Sequence, residues 1–193
     1  GFVVEKSQAD DLLRGLPGEA TQLIRPLMSG RDITQAPRML WAIDLFGLDA
    51  DELRKRFPSL YQWVLDRVKP ERDHNADHSS RAFWWLFART RADFRPALAQ
   101  ITSAVVTSLT AKHRIFVRVD SSTISDSTTV MFALDDLAWF GVLSSRVHVF
   151  WALAAGGSLG VGNDPRYNKS RCFEPFPFPA PSAPQTDTIR KLA

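Results

Sequence analysis

Between Leu137 and Pro179 the chain changes character three times, and no other stretch limits its possible folds as tightly. Leu137–Ala155 is apolar at helical spacing and predicts one long helix. Gly156-Gly157 stops it. Asn163-Asp-Pro-Arg-Tyr-Asn-Lys-Ser-Arg171 then gathers arginine, lysine, asparagine and tyrosine within nine residues, and Pro175-Phe-Pro-Phe-Pro179 closes the block. The apolar run matches a membrane span in length. It nevertheless carries Ser144, Ser145, Arg146 and His148, and Asp135-Asp136 stand directly before it. A buried core helix, with no membrane partner, is therefore the expectation.

The rest of the chain can supply a core around such a helix. Its 193 residues suit one large domain, or a domain with a subdomain, and 45% hydrophobic with 23% charged residues is an ordinary globular balance. The net charge is only +3, but the basic residues are grouped. Lys112, His113, Arg114 and Arg118 form one cluster and Arg166–Arg171 another, while acids collect at Asp10-Asp11, Asp49–Glu52 and Asp135-Asp136. A small total charge can thus conceal a basic face. Cys172 stands alone, which excludes a disulfide framework and a cysteine metal site. His74 and His78 are four apart, but Asn75-Ala-Asp between them reads as a loop, so no metal is expected. No signal peptide is visible, and the location implied is cytoplasmic. Thr188–Ala193 reads as the first turn of a helix with nowhere to pack, beyond a Pro-rich linker from Pro175 to Pro184.

Periodicity predicts a short helix at residues 7–14 ending at Gly15, and a strand over Arg38–Phe46 with Met39, Trp41, Ile43 and Leu45 on one face. Asp49-Ala-Asp-Glu52 has capping-box spacing. The helix behind it places Leu53, Phe57, Tyr61, Val64, Leu65 and Val68 on one side, with a kink or restart at Pro58 and a stop at Pro70. Residues 71–80 read as a polar, mobile loop, and Ala82–Phe87 as a short apolar strand. Asp93–Gln100 reads as a helix; Ser103–Ser108, Arg114–Val119 and Thr128–Leu134 read as strands. Trp41, Trp63, Trp84, Trp139 and Trp151 stand at core-like positions. Helices and strands interspersed irregularly point to an α+β domain: a mixed sheet with packed helices and one long buried helix near the C-terminus.

Catalytic motifs are missing. Gly156-Gly157-Ser-Leu-Gly160-Val-Gly162 follows a helix, whereas a phosphate-cradling loop joins a strand to a helix; a flexible helix exit is the simpler reading. Ser144, His148 and Asp135 make a hydrolase triad on paper, but no nucleophile elbow surrounds Ser144. Asp135-Asp136 reads best as a helix N-cap.

Three pieces carry a resemblance. They are Ile24-Arg-Pro-Leu-Met-Ser-Gly-Arg-Asp-Ile33 with the strand ending Trp41-Ala-Ile-Asp-Leu-Phe46, then Phe57–Arg72 leading to Trp84-Trp85, then Phe140–Pro179. In this order they resemble the target recognition domains of type IIG/IIL (MmeI-like) restriction–modification adenine-specific DNA methyltransferases. The resemblance implies a lead-in helix at 1–19, a recognition domain at 20–179, and a linker with the start of a further helix at 180–193. It also implies that the chain reads double-stranded DNA for a methyltransferase domain that holds S-adenosylmethionine, with no cofactor bound by this piece itself. An endonuclease on the same polypeptide is open. Base reading uses forked donors, amides and carboxylates. Asn163, Asp164, Arg166, Tyr167, Asn168, Lys169 and Arg171 supply that vocabulary; Lys112 and Arg114 are a second candidate group, suited to phosphate, and Arg31 and Arg38 a third. On the opposing reading, Arg166 and Arg171 pair with Asp164 and Glu174 on a solvated loop, and the domain is a structural module that holds the methyltransferase to partner domains.

Overall fold

The computed structural model describes residues 1–159 and 164–193. In chain order it contains β1 (Val3–Val4), α1 (Lys6–Leu13), a 3-10 helix (Gly18–Leu23), β2 (Ile24–Met28), α2 (Gly30–Thr34), β3 (Trp41–Ile43), α3 (Ala50–Arg56), α4 (Pro58–Arg67), α5 (Lys69–Asp73) and α6 (His78–Ala82). There follow α7 (Arg95–Leu98), β4 (Ser103–Ser108), β5 (Phe116–Asp120), β6 (Ile124–Ser125), β7 (Thr129–Phe132), α8 (Leu137–Ser144), α9 (Arg146–Ala155), β8 (Gly157–Leu159), β9 (Asp164–Arg166), a π-helical turn (Lys169–Phe173) and α10 (Ala183–Leu192). This is the mixed α+β architecture expected from the sequence. The chain forms two compact units, residues 1–27 with 39–93, and residues 28–38 with 94–193.

In the first unit β3 lies between β1 and β2, antiparallel to both, with Val3 opposite Ala42 and Ile24 opposite Ile43. The strand is shorter than the expected Arg38–Phe46 because Met39 adopts a left-handed conformation, φ 53°, just before it. Asp49 caps α3 by accepting from the Glu52 amide at 2.7 Å. Glu52 does not reach back as a capping box would; its carboxylate accepts from Arg56 one turn on. The chain restarts at Pro58, which occupies the first turn of α4. Phe57 between the helices has φ −133° and ψ 61°, which shifts the helical phase. Leu60 is therefore fully buried, although the continuous-helix pattern pointed to Tyr61.

Three expectations fail here. Pro70 does not end the element but sits in the first turn of α5, and α6 occupies part of the stretch read as loop, with Asp77 capping it through the Ser79 and Ser80 amides. Ala82 ends α6, Phe83–Trp85 form a turn, and the strand expected over Ala82–Phe87 is not formed. Trp84 and Trp85 pack edge-on to each other, Trp84 against Tyr61, and Trp85 Nε1 donates to the Leu48 carbonyl at 2.9 Å. Aromatic bulk fills the core there without any backbone ladder.

The second unit is built on β4, flanked antiparallel by β5 and β7. The run Ala104–Ser108 is buried throughout, as expected for a strand covered on both faces. The single helix expected over Leu137–Ala155 is two helices bent by 57° at Ser145. Asp136 caps α8 through the Ala138 amide, and Ser145 caps α9 through the His148 amide. A local cap thus overrides an unbroken apolar pattern. Nor is the pair wholly buried: α9 exposes Val147 and Phe150. Among the described residues no single helix is long and apolar enough to cross a membrane; the bent pair meets the length and composition test only jointly.

Pro175–Pro179 packs back on this unit. Phe176 is buried against His148 and Trp151, and Phe178 lies edge-on to Trp139. The terminal helix, expected to find no partner, packs on α8. A side chain at Gly141 would stand 2.7 Å from Ile189 Cγ2, and Arg190 pairs with Asp136 at 2.6 Å. That pairing holds the Asp136 carboxyl down at about 2.

Candidate functional site

The sequence clusters that seemed separate meet at one end of the β4 sheet, all within the second unit. Where β4 ends, the Leu109 amide donates to the Thr128 carbonyl at 2.7 Å, and the Gly30 amide donates to Thr128 Oγ1 at 2.8 Å. Gly30 must lack a side chain, because a Cβ would lie 2.7 Å from Ser108 Oγ and 2.8 Å from the Thr128 carbonyl. The loop after β4 then runs beside β9. The Ala111 amide donates to the Pro165 carbonyl at 3.1 Å, the Tyr167 amide to the Leu109 carbonyl at 2.7 Å, and Thr110 bridges Arg166. On its other side β9 pairs with β8, Gly157 opposite Arg166. Gly156 allows the end of α9 to approach this strand, since a Cβ there would stand 2.5 Å from the Arg166 carbonyl.

These contacts link Gly30 in α2, Ala111 in the loop after β4 and Pro165 in β9 through the end of the β4 sheet, and the residue following each, Arg31, Lys112 and Arg166, is exposed. Arg166 and Arg171 have no side-chain hydrogen bond or ion pair among the described residues, so the pairing with Asp164 and Glu174 that a solvated loop would show is not formed. The Arg171 guanidinium lies 4.0 Å from where a Gly157 side chain would begin, next to the residue opposite Arg166. Lys169 is exposed and only loosely paired, 3.8 Å from Glu174. Asn168 is exposed, and its Oδ1 accepts from the Ser170 amide and hydroxyl, fixing the start of the π-helical turn. Asp164 is half-buried on β9. Asn163 lies outside the described residues.

Two candidates are corrected. Tyr167 is fully buried; its hydroxyl meets His148 Nε2 at 3.0 Å, and its ring packs edge-on to Phe116 and Phe132. Arg114 is 8% exposed and is not available to phosphate. It donates to the Ser108 carbonyl, to Thr107 Oγ1 at 3.2 Å and to the Pro165 carbonyl at 3.1 Å, and its guanidinium covers the Tyr167 ring at 5.2 Å. Tyrosine and arginine both carry long apolar bodies, so their polar ends in the sequence do not reveal burial. Arg38 is also committed. It binds Asp32 and Ser29 with its side chain, locking the start of α2, and that contact holds the Asp32 carboxyl well below the usual carboxylate range. Arg31 donates to Gln35 one turn on and stays exposed.

His148 takes no part in a triad, which the sequence had offered only on paper. Ser144 ends α8 and His148 lies in the core on α9, while Asp135 is held by Thr102, Ser103 and Arg118, so no triad forms. Burial, reinforced by the Arg114 charge, lowers the His148 pKa to about 4 and keeps the ring neutral. Burial also pushes the Tyr167 phenol up, so it remains protonated. Ser145, three residues before His148, accepts from the His148 amide at 3.2 Å and so starts the helix that carries it.

Among the described residues no group of three or more His, Cys, Asp and Glu side chains is placed to hold a metal. Gly156-Gly157 leads from a helix into a strand, the reverse of the order a nucleotide cradle needs, so these residues do not fit a bound S-adenosylmethionine.

Comparison with known proteins gives two findings. The family model for the MmeI target recognition domain matches residues 1–180. The structure of the type IIL restriction–modification enzyme MmeI in complex with DNA matches at TM-score 0.73 and 20% identity, over 98% of this chain and 25% of that one. The chain thus spans about a quarter of the enzyme it resembles. A search of curated proteins finds no match.

Proposed function

The chain belongs to the MmeI target recognition domain family, and from that premise we propose that it reads a specific double-stranded DNA sequence on behalf of a longer modification enzyme. The observation that carries this is that Arg31, Lys112 and Arg166 are exposed on segments hydrogen-bonded to one end of the β4 sheet, with the arginine of β9 unpaired among the described residues. A forked guanidinium free of acidic partners suits the O6/N7 edge of guanine, and the flanking cations suit phosphate. On this reading Arg166, Arg171, Asn168 and Asp164 face base edges, Lys112, Lys169 and Arg31 hold the backbone, and Arg38 steadies α2. Residues 20–179 form the recognition domain.

The parent enzyme is an adenine-N6 methyltransferase of a restriction–modification system, acting in the cytoplasm. Its catalytic domain, outside this chain, binds S-adenosylmethionine and methylates an adenine turned out of the duplex. The test is to express the complete polypeptide in a host without adenine methylation and map modified adenines across the genome. A single motif is expected, and Arg166→Ala relaxes or abolishes preference at one of its positions. A methylated motif unchanged by Arg166→Ala would reject the assignment of that residue. Binding that does not weaken as salt rises would point instead to a module that only holds domains together.

A further inference from the structure

Arg114 is a buried cation with no carboxylate beside it among the described residues. Two main-chain carbonyls, one hydroxyl and the face of Tyr167 take the place of a counterion. Desolvation works against the charge and lowers the arginine pKa from its usual value. An apolar side chain of similar length would fill this volume without that penalty. What only a forked donor achieves here is geometric: one guanidinium bonds the carbonyl of Ser108 at the end of β4 and that of Pro165 in β9, residues far apart in sequence.

The consequence falls on Arg166. The carbonyl just before it is held twice, by Arg114 Nη2 and by the Ala111 amide, and the amide just after it is held by the Leu109 carbonyl. The strand is only three residues long, and Gly156 closes tightly against the Arg166 carbonyl. We infer that Arg114 is a positioning residue for sequence reading: it sets the height of the β9 main chain above the sheet, and so the place from which Arg166 reaches its target. This rests on the DNA-reading function proposed above. It assigns Arg114 a role opposite to that of a phosphate contact, although both would be basic and both required.

The test compares Arg114→Lys, Arg114→Met and Arg166→Ala in the complete polypeptide by selection from a pool of duplexes with a randomised centre, together with the salt dependence of binding. The expected result is that Arg166→Ala flattens preference at one base pair and that both Arg114 variants weaken preference there by about tenfold. Other positions keep their preference and the salt slope does not change. Lysine retains the charge but has no fork, so it does not rescue. If Arg114→Met fails to fold, as judged by its thermal transition, the lysine variant carries the same comparison. A salt slope reduced by about one phosphate contact in the Arg114 variants would make Arg114 a backbone contact and overturn the inference. Equal weakening at every position, or intact preference at the Arg166-dependent pair, would overturn it as well. An unchanged profile in Arg166→Ala would instead defeat the reading function, and the positioning role with it.

Discussion

The two units solve the problem of a core in opposite ways. The first fills its interior with aliphatic and aromatic side chains, Leu53, Phe57, Leu60, Val64, Trp84 and Trp85 among them, and keeps most of its helix ion pairs at the surface. The second surrounds Val105, Phe116 and Leu143 with buried polar groups, namely Arg114, His148 and Tyr167. The buried charge of the first unit is the Arg25–Asp44 pair at 2.9 Å, a cation met by a carboxylate. A core with directed hydrogen bonds fixes particular backbone atoms, and here those atoms belong to the strand that carries Arg166. The hydrogen bonds of the second core thus tie together main-chain atoms that are far apart in sequence.

Three measurements break or sharpen that contrast. The largest effect is expected from Leu60→Ala, which empties a fully buried site in the first unit at a cost of about 2–5 kcal/mol. Hydrogen exchange should show lost protection in α3 and α4 with β4 unchanged; a loss spread equally over both units would erase the distinction. The second is a pH dependence confined to the polar core. The His148 pKa is about 4 in the folded protein against an ordinary 6.5, so the unfolded chain takes up its proton first as pH falls. Stability from this residue is complete above pH 6.5 and is lost as pH drops toward 4, by about 3 kcal/mol. Denaturation of His148→Gln across this window should show a flatter profile than the parent chain, and an identical profile would place the titration elsewhere. The smallest is a pair of alanine substitutions. Gly156→Ala meets the Arg166 carbonyl and should cost about 1–3 kcal/mol, while Gly18→Ala in the first unit enters open space and should stay within about 0.5 kcal/mol. Equal costs would mean that the close approach at β9 is not maintained in solution.

What the sequence revealed was local. The β-branched run Ser103–Ser108 announced β4, Asp49 announced a helix start, and Pro58 announced a restart. The failures all involve distant partners or competing local signals. Ala82–Phe87 is apolar enough for a strand, but a short apolar run does not say whether its backbone finds a ladder. The break at Ser145 is invisible to hydropathy because both flanking helices are apolar. At the site, the charges were legible and the pairing of the segments that carry them was not, since the bridge between Thr110 and Arg166 spans a long loop of chain. That Tyr167 and Arg114 turn inward follows only from that pairing.

The way β9 is fastened has a consequence for how this protein changes over generations. Its grip is on main-chain carbonyl and amide groups, which every residue type but proline carries in full, and not on the exposed side chain of Arg166. A mutation at Arg166 therefore leaves the supporting lattice of bonds intact. On the DNA-reading function proposed above, the residue that faces the target would then change while its support stays in place.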